Sequence, residues 1–275
     1  VEEPALQLKI ERVVAPGPTP TSWILFLHGI FGSGRNWSSI ARRVVAARPE
    51  WGVVLVDLRQ HGASTGFSPP HTVQAAAADL RGLVEAEDIP ARAVLGHSFG
   101  GKVALLYGGH PARHLDQLWI IDSTPDTGRA AGAAWEMLKA LRRLPDSYRD
   151  RAEGVRALEE EGIAGPVAHW MATNLVRGAD DSWRWRIDAD DMEALLQSFS
   201  ATDAWHAIEH SNAELDIHFV KAAESSVLSP GAMLRIEEAA RATGRVHLHP
   251  VDGGHWVNAD NPDALVRLVT EGLPR

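Results

Sequence analysis

Residues 93–107 read AVLGHSFGGKVALLY, an apolar run, a serine bounded by glycines at Ser98, and a second apolar stretch to Tyr107. Ala93 to Leu95 is too short for a helix and stops at a glycine, so it reads as a buried strand, whereas the stretch ending at Tyr107 reads as a helix. Small residues on both sides of Ser98 permit a tight strand-to-helix turn, which would push its hydroxyl into the cleft beyond the strand. G-x-S-x-G alone also describes an ordinary glycine turn. Its position between a strand-like and a helix-like run favours a nucleophile.

The same alternation extends outward. Trp23 to Leu27 ends at His28-Gly29, Val53 to Val56 ends at Asp57, and Leu118 to Ile121 ends at Asp122, with a helical spacing from Trp37 to Ala47. Pro16 to Pro20 reads as a turn before the first core strand. Strands alternating with helices predict a mostly parallel sheet covered on both faces, with ligand chemistry beyond the carboxyl ends of its strands. After Pro125 the composition shifts to Ala, Glu, Arg and Trp, with helix-like segments at Ala133 to Leu144 and Met192 to Phe199 and no strand. Strand character returns at Leu215 to Val220 and Val246 to Leu248, and a last helix is expected over Pro262 to Thr270. The predicted organisation is a core of residues 1–125 and 211–275 carrying a helical lid at 126–210.

The 275 residues are long enough for a full hydrophobic core, and 45% hydrophobic with 23% charged residues is a globular composition. There is no cysteine, which excludes disulfides, thiolate nucleophiles and Cys-ligated metals. With 27 basic against 36 acidic side chains the formal charge is −9, giving no electrostatic ground for binding nucleic acid or an anionic membrane. The apolar runs fall short of a bilayer span and the charged start VEEPALQLKIER is not a signal peptide, so a soluble, cytoplasmic protein is expected. No oligomeric state is predicted.

A serine nucleophile needs a base, and the base needs an orienting acid. His255, in Asp252-Gly253-Gly254-His255-Trp256, lies on a loop between the last strand and last helix and is the candidate base. Asp122, at a strand end, and Glu224, after the strand Leu215 to Val220, are both candidate acids. Asp116, Asp126 and Asp252 read more simply as loop or cap residues. The backbone amides of Ile30 and Phe99 are the candidate oxyanion donors, with Phe31 as an alternative. HGIFGSG at residues 28–34 lacks the Gly-Lys-Ser/Thr ending of a phosphate loop. Asp57 to Gly62 reads as a structural network beside that first loop, Asp188 to Asp191 as a solvated helix cap, and the histidines at 206, 210, 247 and 249 do not make a recognisable ligand set. No metal or cofactor is expected.

Taken together, LHGIFGSGRNW, VDLRQHGAST, GHSFGG and GGHWVNADNP resemble the α/β-hydrolase superfamily across essentially the whole chain. Within it, IIDSTP and WRWRID resemble the small bacterial esterases of the YbfF type and the abhydrolase-domain proteins of the ABHD eleven type. That resemblance implies a triad of Ser98, His255 and Asp122, the acid and the lid following the sixth superfamily strand. Ser225 aligns with the position where many members place the acid, and Glu224 is its neighbour. Dehalogenases and epoxide hydrolases of this fold carry aspartate at the nucleophile position, so Ser98 argues against both.

The expected activity is a serine carboxylesterase acting on small or medium neutral esters, a small molecule being its partner. Phe31, Trp135, Trp170 and Trp256 are candidate pocket residues, while Trp183 and Trp185 read as packing residues. Thioesterase, lactonase, carbon–carbon bond hydrolase and perhydrolase chemistry would use the same residues, and a weakly catalytic small-molecule receptor would keep the same cleft.

Overall fold

A computed structural model describes residues 7–17, 19–110, 115–129 and 131–275. The acidic start at residues 1–6, Pro18 of the predicted proline-rich turn and Ala130 lie outside the described residues. The core elements are β1 (Ile10–Val13), β2 (Ser22–Leu27), α1 (Ser38–Ala47), β3 (Trp51–Val56), α2 (Val73–Ala86), β4 (Ala91–His97), α3 (Phe99–Gly108) and β5 (Gln117–Ile121). Next come α4 (Ala133–Leu141), α5 (Arg151–Glu160), α6 (Gly165–Met171), β6 (Leu175–Arg177), β7 (Trp183–Trp185), α7 (Ala189–Ala201) and α8 (His206–Glu209). The chain then returns through β8 (Asp216–Ala222), α9 (Pro230–Thr243), β9 (Val246–Val251), α10 (Val257–Asp260) and α11 (Pro262–Gly272).

Seven strands form one sheet in the order β1-β3-β2-β4-β5-β8-β9. Only β1 among them runs antiparallel, against β3. Alternating residues explain how the sheet is covered on both sides. Leu25, Leu27, Val54, Val56, Val94, Leu118 and Ile120 join one apolar cluster with α2, α3 and α9. Ile24, Phe26, Val53, Leu55, Ala93, Leu95 and Ile121 join another with α1 and α11. A sheet buried on both faces demands apolar residues at every position, which is why these strands read as continuous hydrophobic runs. The chain passes from β2 to β3 on one side and then to β4 on the other, so the strand order reverses between the carboxyl ends of β2 and β4. In open α/β sheets that reversal opens the crevice where ligands bind.

The connection between β5 and β8 departs from the strandless expectation. β6 and β7 pair antiparallel as Leu175↔Trp185, Val176↔Arg184 and Arg177↔Trp183. The ribbon closes through Gly178 N–H donating to Ser182 O at 2.7 Å, and Tyr148 bridges to Trp183 on its other edge. Three-residue strands carry too few alternations to be told from loop by period alone. Trp183 and Trp185 pack within this ribbon: Trp185 Nε1 donates to Tyr148 Oη at 3.1 Å, and the Arg151 guanidinium lies 4.8 Å from the Trp183 ring. Asp188 caps α7 by accepting from the amides of Asp190 and Asp191. Asp191 itself is not a free solvated carboxylate, since Gln60 Nε2 donates to it and His71 Nε2 lies 3.1 Å away.

The turn from β4 into α3 depends on absent side-chain atoms. A Cβ on Gly96 would stand 2.1 Å from the Gly100 carbonyl oxygen, and one on Gly100 would stand 2.5 Å from the His28 carbonyl oxygen. Gly82, inside α2, has nothing within 4 Å of the same atom. Gly100→Ala is therefore expected to destabilise by about 1–3 kcal/mol through overpacking. Gly82→Ala should be neutral or stabilising by up to about 1 kcal/mol. Urea midpoints of the two variants check this, and equal midpoints would contradict it.

Candidate active site

Ser98 sits between β4 and α3 with φ 51° and ψ −116°, a conformation that costs a non-glycine residue free energy and is held by its surroundings. Its amide donates to Ile121 O at 3.0 Å, and the Ser123 hydroxyl donates to Ser98 O at 2.6 Å. These bonds tie the turn to the end of β5. The same strand end carries Asp122, also at positive φ (40°) and fully buried. His255 reaches over from the loop after β9, its Nε2 3.1 Å from Ser98 Oγ and its Nδ1 2.6 Å from Asp122 Oδ2. The three side chains thus form a continuous hydrogen-bonded row.

Asp122 is further supplied by the Ala222 amide, 3.2 Å from Oδ1, and by the Ser225 hydroxyl. Burial pulls its pKa upward, but hydrogen bonds from His255, Ser225 and Ala222 outweigh this and hold the carboxyl below its ordinary value. Glu224 lines the cavity but is exposed, and its carboxylate makes no hydrogen bond or ion pair among the described residues. Its amide is held by Gly253 O at 3.0 Å. Of the two candidate acids, the structure brings Asp122 to His255 and leaves Glu224 at the cavity wall.

His97 Nε2 donates to the His255 backbone carbonyl at 2.7 Å, which steadies the loop carrying the imidazole. Desolvation, with neighbouring His255 next, lowers the His97 pKa to about 3, which favours the neutral ring that donates through Nε2.

Ile30 and Phe99 both line the cavity, and their amides have no protein acceptor among the described residues. Phe31 N–H, the alternative donor, is instead committed to His61 Nε2 at 3.0 Å. This corrects the expectation that it stands in reserve. Phe31 has φ 61°, and its carbonyl accepts from the buried Asn174 Nδ2 at 2.8 Å. Both polar backbone groups of a strained residue are therefore occupied, which fixes the loop next to Ile30.

Two buried histidines brace this loop. His28 Nδ1 donates to Gly29 O at 2.8 Å while its Nε2 accepts from Leu58 N–H at 3.0 Å. His61 Nδ1 donates to Arg59 O at 2.9 Å. Each ring needs one protonated and one bare nitrogen, which is the neutral form. Desolvation drives the His28 pKa down to about 4 and, with His28 adding to it, that of His61 to about 3. Asp57 completes the network, taking Gly34 N–H at 2.8 Å and Ala63 N–H at 2.7 Å. It is structural, as its sequence context suggested.

A cavity of about 690 Å³ opens over Ser98. Phe31, Trp135, Trp170 and Trp256 all line it, together with Leu196 and Phe199. Trp170 meets Trp256 edge to face at 4.2 Å. Trp37 lines it as well, whereas Trp205 is buried elsewhere with Nε1 donating to Asp126 Oδ1 at 2.6 Å. His247 and His249 lie on β9 and stack with His218 of β8, and His206 stacks on His210 at 4.2 Å. Among the described residues no three His, Asp or Glu side chains are arranged to hold a metal ion. No helix among them is long and apolar enough to cross a membrane.

The family model described as the alpha/beta hydrolase family matches residues 24–268. The chain belongs to that family. Mouse sn-1-specific diacylglycerol lipase ABHD11 is 28% identical over 257 residues, covering 91% of this chain and 80% of that protein. Esterase YbfF of Escherichia coli K12 is 26% identical over 274 residues, covering 98% of this chain and 99% of that protein. A solved marine microorganism esterase superimposes with a TM-score of 0.84 at 23% identity, covering 98% of this chain and all (100%) of that one, and so shares the fold. As a member with esterase and lipase relatives, the α/β-hydrolase family chain is a hydrolase.

Sequence reasoning placed His61 in a structural network beside the first loop but named no partner for His28, His61 or Asn174, because the loops that pair them lie 30 or more residues apart. Acid should expose the two histidines. Both rings are pushed below the ordinary histidine value, so the unfolded chain takes up protons first and folded stability falls as pH drops from about 6.5 toward about 4. Thermal midpoints between pH 7 and pH 4.5 should decline steeply below pH 6.5. A flat profile down to pH 4.5 would contradict the neutral assignment.

Proposed function

We propose that this α/β-hydrolase family member is a serine carboxylesterase for small to medium neutral esters, acting through an acyl-enzyme. The observation that carries the reading is the row Ser98 Oγ, His255 Nε2, His255 Nδ1 and Asp122 Oδ2, with separations of 3.1 and 2.6 Å. In this reading Ser98 Oγ attacks the ester carbonyl as His255 Nε2 takes its proton. Asp122 keeps Nδ1–H directed away from the serine and stabilises the imidazolium as it forms. The Ile30 and Phe99 amides receive the developing oxyanion, and Phe99 adds the positive end of α3. His255 then returns the proton to the departing alcohol. Water, deprotonated by the same ring, attacks the acyl carbonyl and releases the acid and free Ser98.

The substrate class follows from the cavity. Its lining is dominated by Phe31, Trp135, Trp170, Leu196, Phe199 and Trp256, which favours an apolar acyl group, and about 690 Å³ accommodates a medium-sized molecule. The names of the relatives, an esterase and a diacylglycerol lipase, support ester over other acyl substrates. Residues 126–210 are read here as a lid, since α4 supplies Trp135, α6 supplies Trp170 and α7 supplies Leu196 and Phe199 to the roof over Ser98.

Initial rates on a chromogenic ester series from acetyl to long acyl chains test the proposal. Ser98→Ala should lose at least about 10³-fold in kcat, and Asp122→Asn about 10³–10⁴-fold, because the amide favours the wrong imidazole tautomer. Glu224→Gln should stay within about threefold of native, since its carboxylate contacts none of the row. Turnover that survives Ser98→Ala, or a larger loss from Glu224→Gln than from Asp122→Asn, would overturn the reading.

A further inference from the structure

Lys102 lies on α3, one turn beyond Ser98, and is completely buried. A lysine is held in such a position only when its ammonium is fully hydrogen-bonded. Its Nζ donates to Asp126 O at 2.8 Å, Phe199 O at 2.7 Å and Thr202 O at 3.0 Å. An ammonium has three protons, so none remains for a substrate. Burial pushes its pKa down to about 8, with Asp126 and Asp203 drawing it back up.

The three acceptors come from the two ends of the connection that roofs the cavity. Asp126 lies just after the chain leaves β5, while Phe199 and Thr202 lie at the carboxyl end of α7. Carbonyls at a helix carboxyl end lack intrahelical partners and favour a cation, so Lys102 caps α7 from a different helix. The same ammonium stands 4.2 Å from the Phe199 ring centroid. That ring faces Phe99, the residue after Ser98, at 6.3 Å and lines the cavity. The two ends of the connection also bond to each other, through Gly128 N–H to Ser200 O at 2.8 Å and Ala204 N–H to Pro125 O at 2.9 Å.

We propose that Lys102 is a positioning residue for the acyl pocket: it locks Phe199 against Phe99 and pins both ends of the roofing segment to the helix that carries the nucleophile. Val73 N–H and Gln74 Nε2 also hold the end of α7, through Ser198 Oγ and Thr202 Oγ1, each at 3.0 Å. Those bonds fix it to α2. Among the hydrogen bonds of the described residues, only those of Lys102 fix it to α3 and to Asp126 together.

The catalytic half of this inference rests on the esterase reading, and the structural half does not, so the test has two arms. Kinetics would compare native protein, Lys102→Met, Phe199→Ala and the double variant on acetyl and medium-chain esters. Lys102→Met should raise KM about tenfold for the medium-chain ester and leave kcat on the acetyl ester within about twofold, with the double variant no worse than Phe199→Ala alone. Independent, multiplying effects, or an equal fall in kcat on both esters, would overturn the proposal.

Hydrogen exchange in a Ser98→Ala background needs no turnover. Lys102→Met should speed exchange about tenfold or more at the amides of Gly128 and Ala204 while the sheet stays protected. Unchanged exchange at both amides would overturn the proposal even if the esterase reading holds. Faster exchange there would support it even if no ester is hydrolysed. Should Lys102→Met fail to fold, Lys102→Gln is measured by the same criteria. Unfolding of both variants, or loosening spread evenly through the sheet, would make Lys102 a residue of general stability and overturn the positioning role.

Discussion

The left-handed conformation of Ser98 is the constraint from which the site is built. With φ at 51°, the serine leaves β4 and enters α3 without an intervening loop, so its hydroxyl stands clear of the backbone at the strand end. That economy requires α3 to press against β2 and β4, and Gly96 and Gly100 make the approach possible because neither carries a Cβ. The strain is opposed by the bonds from Ser98 N to Ile121 O and from Ser123 Oγ to Ser98 O. Both partners lie at the end of β5, beside Asp122. The residues that hold the turn and the carboxylate that meets His255 therefore belong to one strand end.

Around this turn the molecule uses neutral polar groups as braces. His28, His61 and His97 each donate from one ring nitrogen to a carbonyl, and burial keeps all three uncharged. His61 fixes the amide of Phe31 and Asn174 fixes its carbonyl. The Ile30 amide, its neighbour in the chain, is left without a protein acceptor among the described residues, and Ile30 lines the same cavity as Phe99. In the proposed reaction, donors preorganised in this way are effective because they need not reorient as charge develops. Lys102 performs a comparable service for the roof, with a charge held in place of a neutral ring.

Much of this architecture was legible in the chain. Buried parallel strands must be apolar throughout and must stop at turn residues, so β2, β3, β4 and β5 announce themselves by composition and endings, while β8 and the edge strand β9 show only short apolar stretches among polar residues. GHSFGG is legible for the related reason that close backbone approach excludes side chains. Asp122 and His255 could be named because each follows a strand and a base needs an acid. The residues alone left Asp122 and Glu224 open, since two carboxylates at neighbouring strand ends look alike in one dimension; the family resemblance favoured Asp122, whose Oδ2 lies 2.6 Å from His255 Nδ1. Ser225, which the family resemblance aligns with the usual acid position, instead helps hold the Asp122 carboxyl below its ordinary value. The β6–β7 ribbon was illegible because three residues do not establish a period. Lys102 was hidden by the general expectation that lysines face water, and its three acceptors are backbone carbonyls, which no side-chain pattern reveals.

The central claim is that Ser98 carries the acyl group between the two half-reactions. The most direct measurement is rapid acid quenching during turnover of a slowly deacylating ester, followed by intact-mass and peptide mass spectrometry. The account predicts a mass increase equal to one acyl group, confined to the peptide containing Ser98 and absent from Ser98→Ala. Rapid hydrolysis with no adduct at any quench time, or an adduct on another side chain that persists in Ser98→Ala, would contradict it.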